Sequence, residues 1–313
     1  MTEVAPPPAW YDAQYNNRAR IPEHPAILAH WAEASARAYE RPGWVLDLAY
    51  GEDPSERLDV LPAGRPGAPV FVYVHGGYWR ALDKRDQSFV APPFADAGAM
   101  VVLANYALCP AVVIERIVLQ LVQALAWVYR HARAHGGDPE RIVVAGHSAG
   151  GHLGAMLLAC DWPVVSPELP PDLVKSVLAI SGIYELEPLR HAPFLSTDIG
   201  LSAGSALRLS PAAMPPPARG ALVTVVGGNE SEEFHRQAEL IGRAWGPRVT
   251  AAQRVPGRNH MDVLHELVDP SSRTYRLALE LLGLTAQQKG RPRAAFVVCG
   301  EVNPPRRPLR ASP

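Results

Sequence analysis

The residues best placed to do chemistry lie in Gly146-His147-Ser148-Ala149-Gly150, a G-x-S-x-G pattern. A β-branched run, Ile142 to Ala145, precedes it, and a small-residue apolar segment, Leu153 to Ala159, follows. On a strand-turn-helix this pattern makes a turn so tight that the serine hydroxyl stands exposed on strained backbone. The residues two before and two after the serine crowd each other, so glycine is required at both. The helix that follows aims its N-terminus at Ser148, which favours a developing negative charge there.

A serine hydroxyl attacks only when a base takes its proton, and His260, near the end of the chain, can do so close to neutral pH. That imidazole needs a carboxylate to hold its tautomer and to stabilise its cation. Glu230 follows an apolar strand in a suitable place and is the preferred carboxylate. Glu185, after the preceding strand, is the second choice. Asp262 is only two residues from His260, too short a link to meet Nδ1 of that ring. Gly76 and Gly77 follow His75 at the end of another apolar run, and with the Ala149 amide they could aim N–H groups at a carbonyl oxygen becoming negative. His75 is read as bracing its loop, and His147 and His152 as structural parts of the turn and helix. Tyr78, Trp79 and Tyr106 are candidate pocket residues.

These groups fall at loop ends, and the intervening pattern says what positions them. Pro69 to Val74, Met100 to Asn105, Ser176 to Ile180 and Ala221 to Val226 are continuous apolar runs, as expected of strands buried on both faces. Val249 to Val255 adds a further strand. Val45 to Tyr50 and Glu56 to Val60, split by Gly51 to Pro54, predict an edge hairpin. Ile114 to His135 has helical spacing, and Phe234 to Trp245 and Asp269 to Leu284 predict two more helices. Strands alternating with helices give an α/β fold, a mostly parallel sheet covered on both faces. In such sheets functional loops gather at the carboxyl ends of the strands.

Residues 10–284 are read as one domain behind a flexible start, 1–9. Residues 10–40, as one or two helices, and the proline-rich 184–219 are expected to cap the site; simple packing of an N-terminal helix is the alternative. Residues 285–313 lack apolar periodicity and are read as a disordered tail.

Lys plus Arg number 30 and Asp plus Glu 31 in 313 residues, a balance that excludes a nucleic-acid or anionic-membrane binder. Cys109, Cys160 and Cys299 have no metal-like or disulfide-like spacing, so reduced thiols are expected. The start lacks a secretory pattern and no apolar run is long enough to span a bilayer, which together predict a soluble cytoplasmic protein. No paired histidine or carboxylate spacing suggests zinc, and no metal or organic cofactor is expected.

His75-Gly-Gly-Tyr-Trp79 with Gly146-His-Ser-Ala-Gly-Gly-His-Leu153 resembles the kynurenine formamidase (arylformamidase) branch of the α/β-hydrolases, near the hormone-sensitive-lipase-like esterases. Glu230-Ser-Glu-Glu-Phe-His-Arg-Gln237 resembles the family's acid loop, His260-Met-Asp262 its histidine loop, and Asn105 to Pro110 a further strand end. The likeness spans about residues 10–284 and includes Tyr15-Asn-Asn-Arg18. Glu stands at 230 where better-known members carry Asp. The resemblance implies an α/β-hydrolase fold with a small cap and a small-molecule acyl substrate. It implies a triad of Ser148, His260 and Glu230 that cleaves an aryl formamide such as N-formylkynurenine or a short carboxylic ester. A general carboxylesterase and a non-catalytic hydrolase-fold binding protein are the alternatives. Oligomeric state, a homodimer included, is open.

Overall fold

The computed structural model describes residues 5–284. The expected tail at 285–313, with Cys299, lies outside the described residues. Eight strands form one sheet: β1 Val45–Ala49, β2 Arg57–Leu61, β3 Ala68–Val74, β4 Met100–Ala104, β5 Gly137–His147, β6 Val174–Ile180, β7 Ala221–Gly227 and β8 Val249–Val255. Their order is β1-β2-β4-β3-β5-β6-β7-β8. The expected hairpin pairs Leu48 with Leu58 and lies antiparallel at the edge. β2 also runs antiparallel to β4. Every pairing from β4 through β8 is parallel.

The helices, in chain order, are α1 Pro8–Tyr15, α2 Asn17–Arg20, α3 His24–Tyr39, α4 Ala91–Ala97, α5 Ile114–His131, α6 Ala149–Leu158, α7 Trp162–Val165, α8 Ser196–Ile199, α9 Ala203–Arg208, α10 Glu232–Trp245 and α11 Arg273–Leu281. Strand alternation sorts the core into two layers. Val70, Val72 and Val74 of β3 face a layer that includes Leu121 and Leu125 of α5 and Leu153 of α6. Phe71 and Tyr73 face the other, with Trp31 of α3, Phe94 of α4 and Leu277 of α11. All seven residues of β3 are buried, which explains why its sequence reads as an unbroken apolar run.

Several boundaries differ from expectation: the helix expected over Ile114–His135 ends at His131, where a 3₁₀ turn takes over, and the elbow strand β5 begins at Gly137. The proline-rich start is helical from Pro8, because proline at the first helical position loses no hydrogen bond. The last helix begins at Arg273, where the Ser272 hydroxyl accepts from Tyr275 N–H at 2.9 Å. Between β3 and β4 the chain makes a 3₁₀ segment, Lys84–Val90, and then α4, in a stretch where no periodicity was visible.

Residues 10–39 form three helices tied to the rest at buried polar groups. Tyr15 OH donates to Glu233 Oε2 of α10 at 2.6 Å and accepts from Gln237 Nε2 at 3.1 Å. Phe194 N–H donates to Asp12 Oδ1 at 3.1 Å. Behind α3, Lys84 Nζ lies 2.9 Å from Asp59 Oδ2 and 2.7 Å from Asp47 Oδ1, and Tyr39 OH donates to Asp59 Oδ2 at 2.6 Å. Lys84 and Asp59 are both buried, so the ion pair joins the edge hairpin to the 3₁₀ segment, and the Tyr39 hydroxyl ties α3 to the same carboxylate. No helix among the described residues is long and apolar enough to cross a membrane.

Candidate active site

β5 delivers Ser148 to the rim of the sheet and α6 carries the chain away. Between them Ser148 adopts φ +56° and ψ −116°, a conformation L-residues rarely take. The turn that imposes it tolerates only glycine at its two neighbours. A Cβ at Gly146 would stand 2.2 Å from the Gly150 carbonyl oxygen, and one at Gly150 would stand 2.0 Å from that of Val74. Ser148 N–H donates to Ile180 O at 2.8 Å, so β6 also grips the turn.

His260 reaches Ser148 from the loop after β8, its Nε2 3.0 Å from Oγ. Its Nδ1 is 2.7 Å from Glu230 Oε2. A carboxylate can only accept, so Nδ1–H is the donor and the Nε2 lone pair faces the serine hydroxyl. The other oxygen of Glu230 accepts from Ser181 Oγ at 2.5 Å and from Gly227 N–H at 2.7 Å. Ser148, Glu230 and His260 are all buried, where such contacts act at low dielectric. The arrangement can draw the serine proton onto the imidazole while a fixed carboxylate balances the imidazolium that results.

The other candidate acids are engaged elsewhere. Glu185 pairs with Arg236 Nη1 at 2.8 Å, and Asp262 Oδ1 accepts from Asn259 N–H at 2.6 Å.

The neighbouring histidines brace the framework. His147 Nε2–H donates to the His260 carbonyl at 2.7 Å, and its ring lies 4.9 Å from that of His260. Burial, and next the adjacent His260, lowers its pKa to about 3, so it stays neutral beside the imidazolium it would otherwise repel. The Phe234 ring packs 4.4 Å from the His260 ring. His152 Nε2–H donates to Leu209 O at 2.8 Å. His75 Nδ1 is 2.8 Å from the Gly76 carbonyl, within the loop it was expected to brace.

Among the expected oxyanion donors, Gly77 and Ala149 sit beside the serine. Gly77 lines the same cavity as Ser148, in a left-handed turn with φ +104°. Ala149 opens α6, so its N–H has no intrahelical acceptor. Gly76 differs: its N–H points at Gln87 Oε1, 3.4 Å away. What Gly76 supplies is close approach, since a Cβ there would meet the His147 carbonyl oxygen at 2.7 Å.

The expected pocket aromatics part company. Tyr78 lines the cavity, and its hydroxyl donates to Tyr15 O at 2.6 Å. Trp79 is fully buried, its ring perpendicular to that of His152 with centroids 5.0 Å apart, and it does not line the cavity. Tyr106 is buried too, stacked 4.2 Å from the His75 ring and donating to His75 O at 2.8 Å. Both aromatics support the loop and neither touches the cavity.

The cavity holds about 340 Å³. Its lining is mixed, with Leu28, Trp31, Leu82 and Met261 among the apolar residues and Asn16, Arg18, Arg80 and Asp198 among the polar ones. Sequence reasoning assigned none of these a role in the site, although Asn16, Arg18 and Met261 lie in family-like segments, nor did it mark Ser181, whose contact with Glu230 depends on β6 lying beside β7. No cluster of three or more metal-ligating side chains occurs among the described residues.

An elbow serine at the end of a central parallel strand, in a sheet with this order, defines an α/β-hydrolase of the esterase type. The BD-FAE family model matches residues 58–161. Kynurenine formamidase of Salmo salar is 30% identical over 262 residues, covering 80% of this chain and 86% of that protein. The chain belongs to the kynurenine formamidase family of α/β-hydrolases and is a hydrolase of formamides or esters. Esterase LipC of Mycobacterium tuberculosis is 37% identical over 144 residues, 44% of this chain and 35% of that one. A crystal structure from Silicibacter sp. TM1040, described as a candidate thioesterase, superposes with a TM-score of 0.75 at 30% identity, covering 87% of this chain and 97% of that one.

Proposed function

We propose that the protein hydrolyses aryl formamides of the N-formylkynurenine type. Ser148 attacks the formyl carbon, His260 takes the serine proton and returns it to the leaving arylamine, and Glu230 holds and balances the imidazolium. Gly77 and Ala149 N–H groups stabilise the tetrahedral oxyanion, and water then releases formate by the same route in reverse. The observation that carries this reading is the unbroken hydrogen-bond sequence Ser148–His260–Glu230 opening into a cavity of about 340 Å³. That volume and the mixed wall suit a single aromatic ring with a polar appendage better than a long acyl chain. The segments α1–α3 and 184–219 act as the cover, contributing Arg18, Trp31 and Asp198 to the lining.

Steady-state hydrolysis of N-formylkynurenine beside p-nitrophenyl acetate and butyrate tests this. The formamide is expected to have the highest kcat/KM, and Ser148→Ala to lower kcat by about 10³-fold or more. Turnover of esters alone would make the protein a general carboxylesterase. Failure to cleave any of the three would remove both the substrate class and the assignment of Ser148.

A further inference from the structure

Among the charged residues that line the cavity, one guanidinium has no ion-pair partner among the described residues. Arg80 also lines the cavity, but it is spent: its guanidinium contacts the Asp198 carboxylate, donates to Phe194 O at 2.8 Å and lies 5.5 Å over the Phe194 ring. Arg20, two residues beyond Arg18, donates to Ala13 O at 2.8 Å, within its own segment. Arg18 has no hydrogen bond or ion pair to any described residue, yet it lines the cavity that contains Ser148.

Its position is built, because the turn that carries it is fixed on both sides. The Asn16 side chain accepts from Ala19 N–H at 3.2 Å and caps α2. Asn17, buried, reaches the Tyr78 hydroxyl at 3.4 Å, and that hydroxyl donates back to Tyr15 O at 2.6 Å. Tyr15 is itself held by Glu233 and Gln237. The turn that carries the exposed Arg18 is thus held by contacts to the loop that carries Gly77, and its guanidinium lines the cavity without a partner among the described residues.

We propose that Arg18 is a specificity residue that binds a carboxylate on the leaving-group side of the substrate, so that the preferred substrates are aryl formamides or esters that carry a carboxylate. A planar guanidinium fits a carboxylate through two parallel N–H···O bonds. The anion would complete a cavity whose Arg80 and Asp198 already cancel. The substrate class rests on the formamidase reading; the anion preference does not.

The test uses matched pairs. N-formylkynurenine is compared with its α-carboxamide, which keeps the aryl formamide and the ammonium and lacks only the carboxylate; 4-acetoxybenzoate is compared with its methyl ester. For the wild type, Arg18→Gln and Arg18→Lys, the quantity read is the ratio of kcat/KM between the member with the carboxylate and the member without it. Arg18→Gln is expected to lower that ratio roughly tenfold, mainly through KM, with Arg18→Lys intermediate. Raised salt should lower the ratio in the wild type and leave the Arg18→Gln ratio flat. A ratio unaffected by Arg18→Gln overturns the proposal, even where both activities fall. If the formamides are not cleaved, the formamidase reading fails separately, and the ester pair decides on Arg18 by the same ratio.

Discussion

At the level of single residues, the acid shows most clearly what the structure adds to the sequence. A glutamate reaches one methylene further than an aspartate, and here that reach is taken up by a two-sided hold: His260 on Oε2, Ser181 and Gly227 on Oε1. Replacing the carboxylate by an amide, Glu230→Gln, permits the wrong imidazole tautomer and is expected to cut kcat by about 10³–10⁴ with little change in KM. Glu230→Asp should fall between, since its shorter arm must give up either His260 or the Ser181 clamp. Equal kcat for Glu230→Gln and the wild type would remove Glu230 from the mechanism. The serine, histidine and acid were legible because each follows an apolar strand, where such groups collect. Trp79 and Tyr106 were misread because composition cannot say which way a loop residue turns. Tyr78 and Trp79 both have positive φ, and within two residues the loop sends one ring to the cavity and the next into the core. Ser181 was invisible as a partner because strand adjacency is a property of the sheet.

The elements divide in the same way. Strands buried on both faces announce themselves as apolar runs, so β3, β4, β6 and β7 were all legible. The stretch from Lys84 to Ala97 was not, because a 3₁₀ turn and a seven-residue helix with prolines at its second and third positions are too short to show a period. That unannounced stretch supplies Lys84, whose buried pairing with Asp59 fastens the 3₁₀ segment to the edge hairpin, and Tyr39 of α3 donates to the same carboxylate. Removing Lys84 leaves the Asp59 charge buried without its cation, held only by the Tyr39 hydroxyl and the Asp47 N–H, so Lys84→Ala should destabilise by about 3 kcal/mol in urea unfolding. A double variant, Lys84→Met with Asp59→Leu, should recover a substantial part of that loss. If Lys84→Ala costs under about 1 kcal/mol, the pair does not hold these elements together.

For the whole molecule, acid sensitivity follows from histidines that the fold keeps neutral. Burial lowers His75 and His152 to about 4 and His147 to about 3, against 6.5 when unfolded. Between the two values the unfolded chain binds protons that the folded one refuses, so stability falls as pH drops below about 6.5 and goes on falling to the folded pKa values. Each histidine adds a slope of at most about 1.4 kcal/mol per pH unit. Urea midpoints should therefore fall between pH 6.5 and 5, before carboxylates with ordinary or lowered pKa values begin to titrate. His152→Gln, though less stable at pH 7, should show a shallower fall. Midpoints that stay level over that range would mean these rings are protonated without unfolding.

The Tyr78 hydroxyl bonded to the Tyr15 carbonyl has a bearing on how this enzyme can change. One tyrosine belongs to the loop that carries Gly77 and also anchors the turn that carries Arg18. A lineage that remodels its N-terminal segment for a new leaving group therefore alters the support of its own reaction centre. Substrate range and turnover are inherited together here, and a new taste acquired by exchanging that segment must be tuned against the old chemistry.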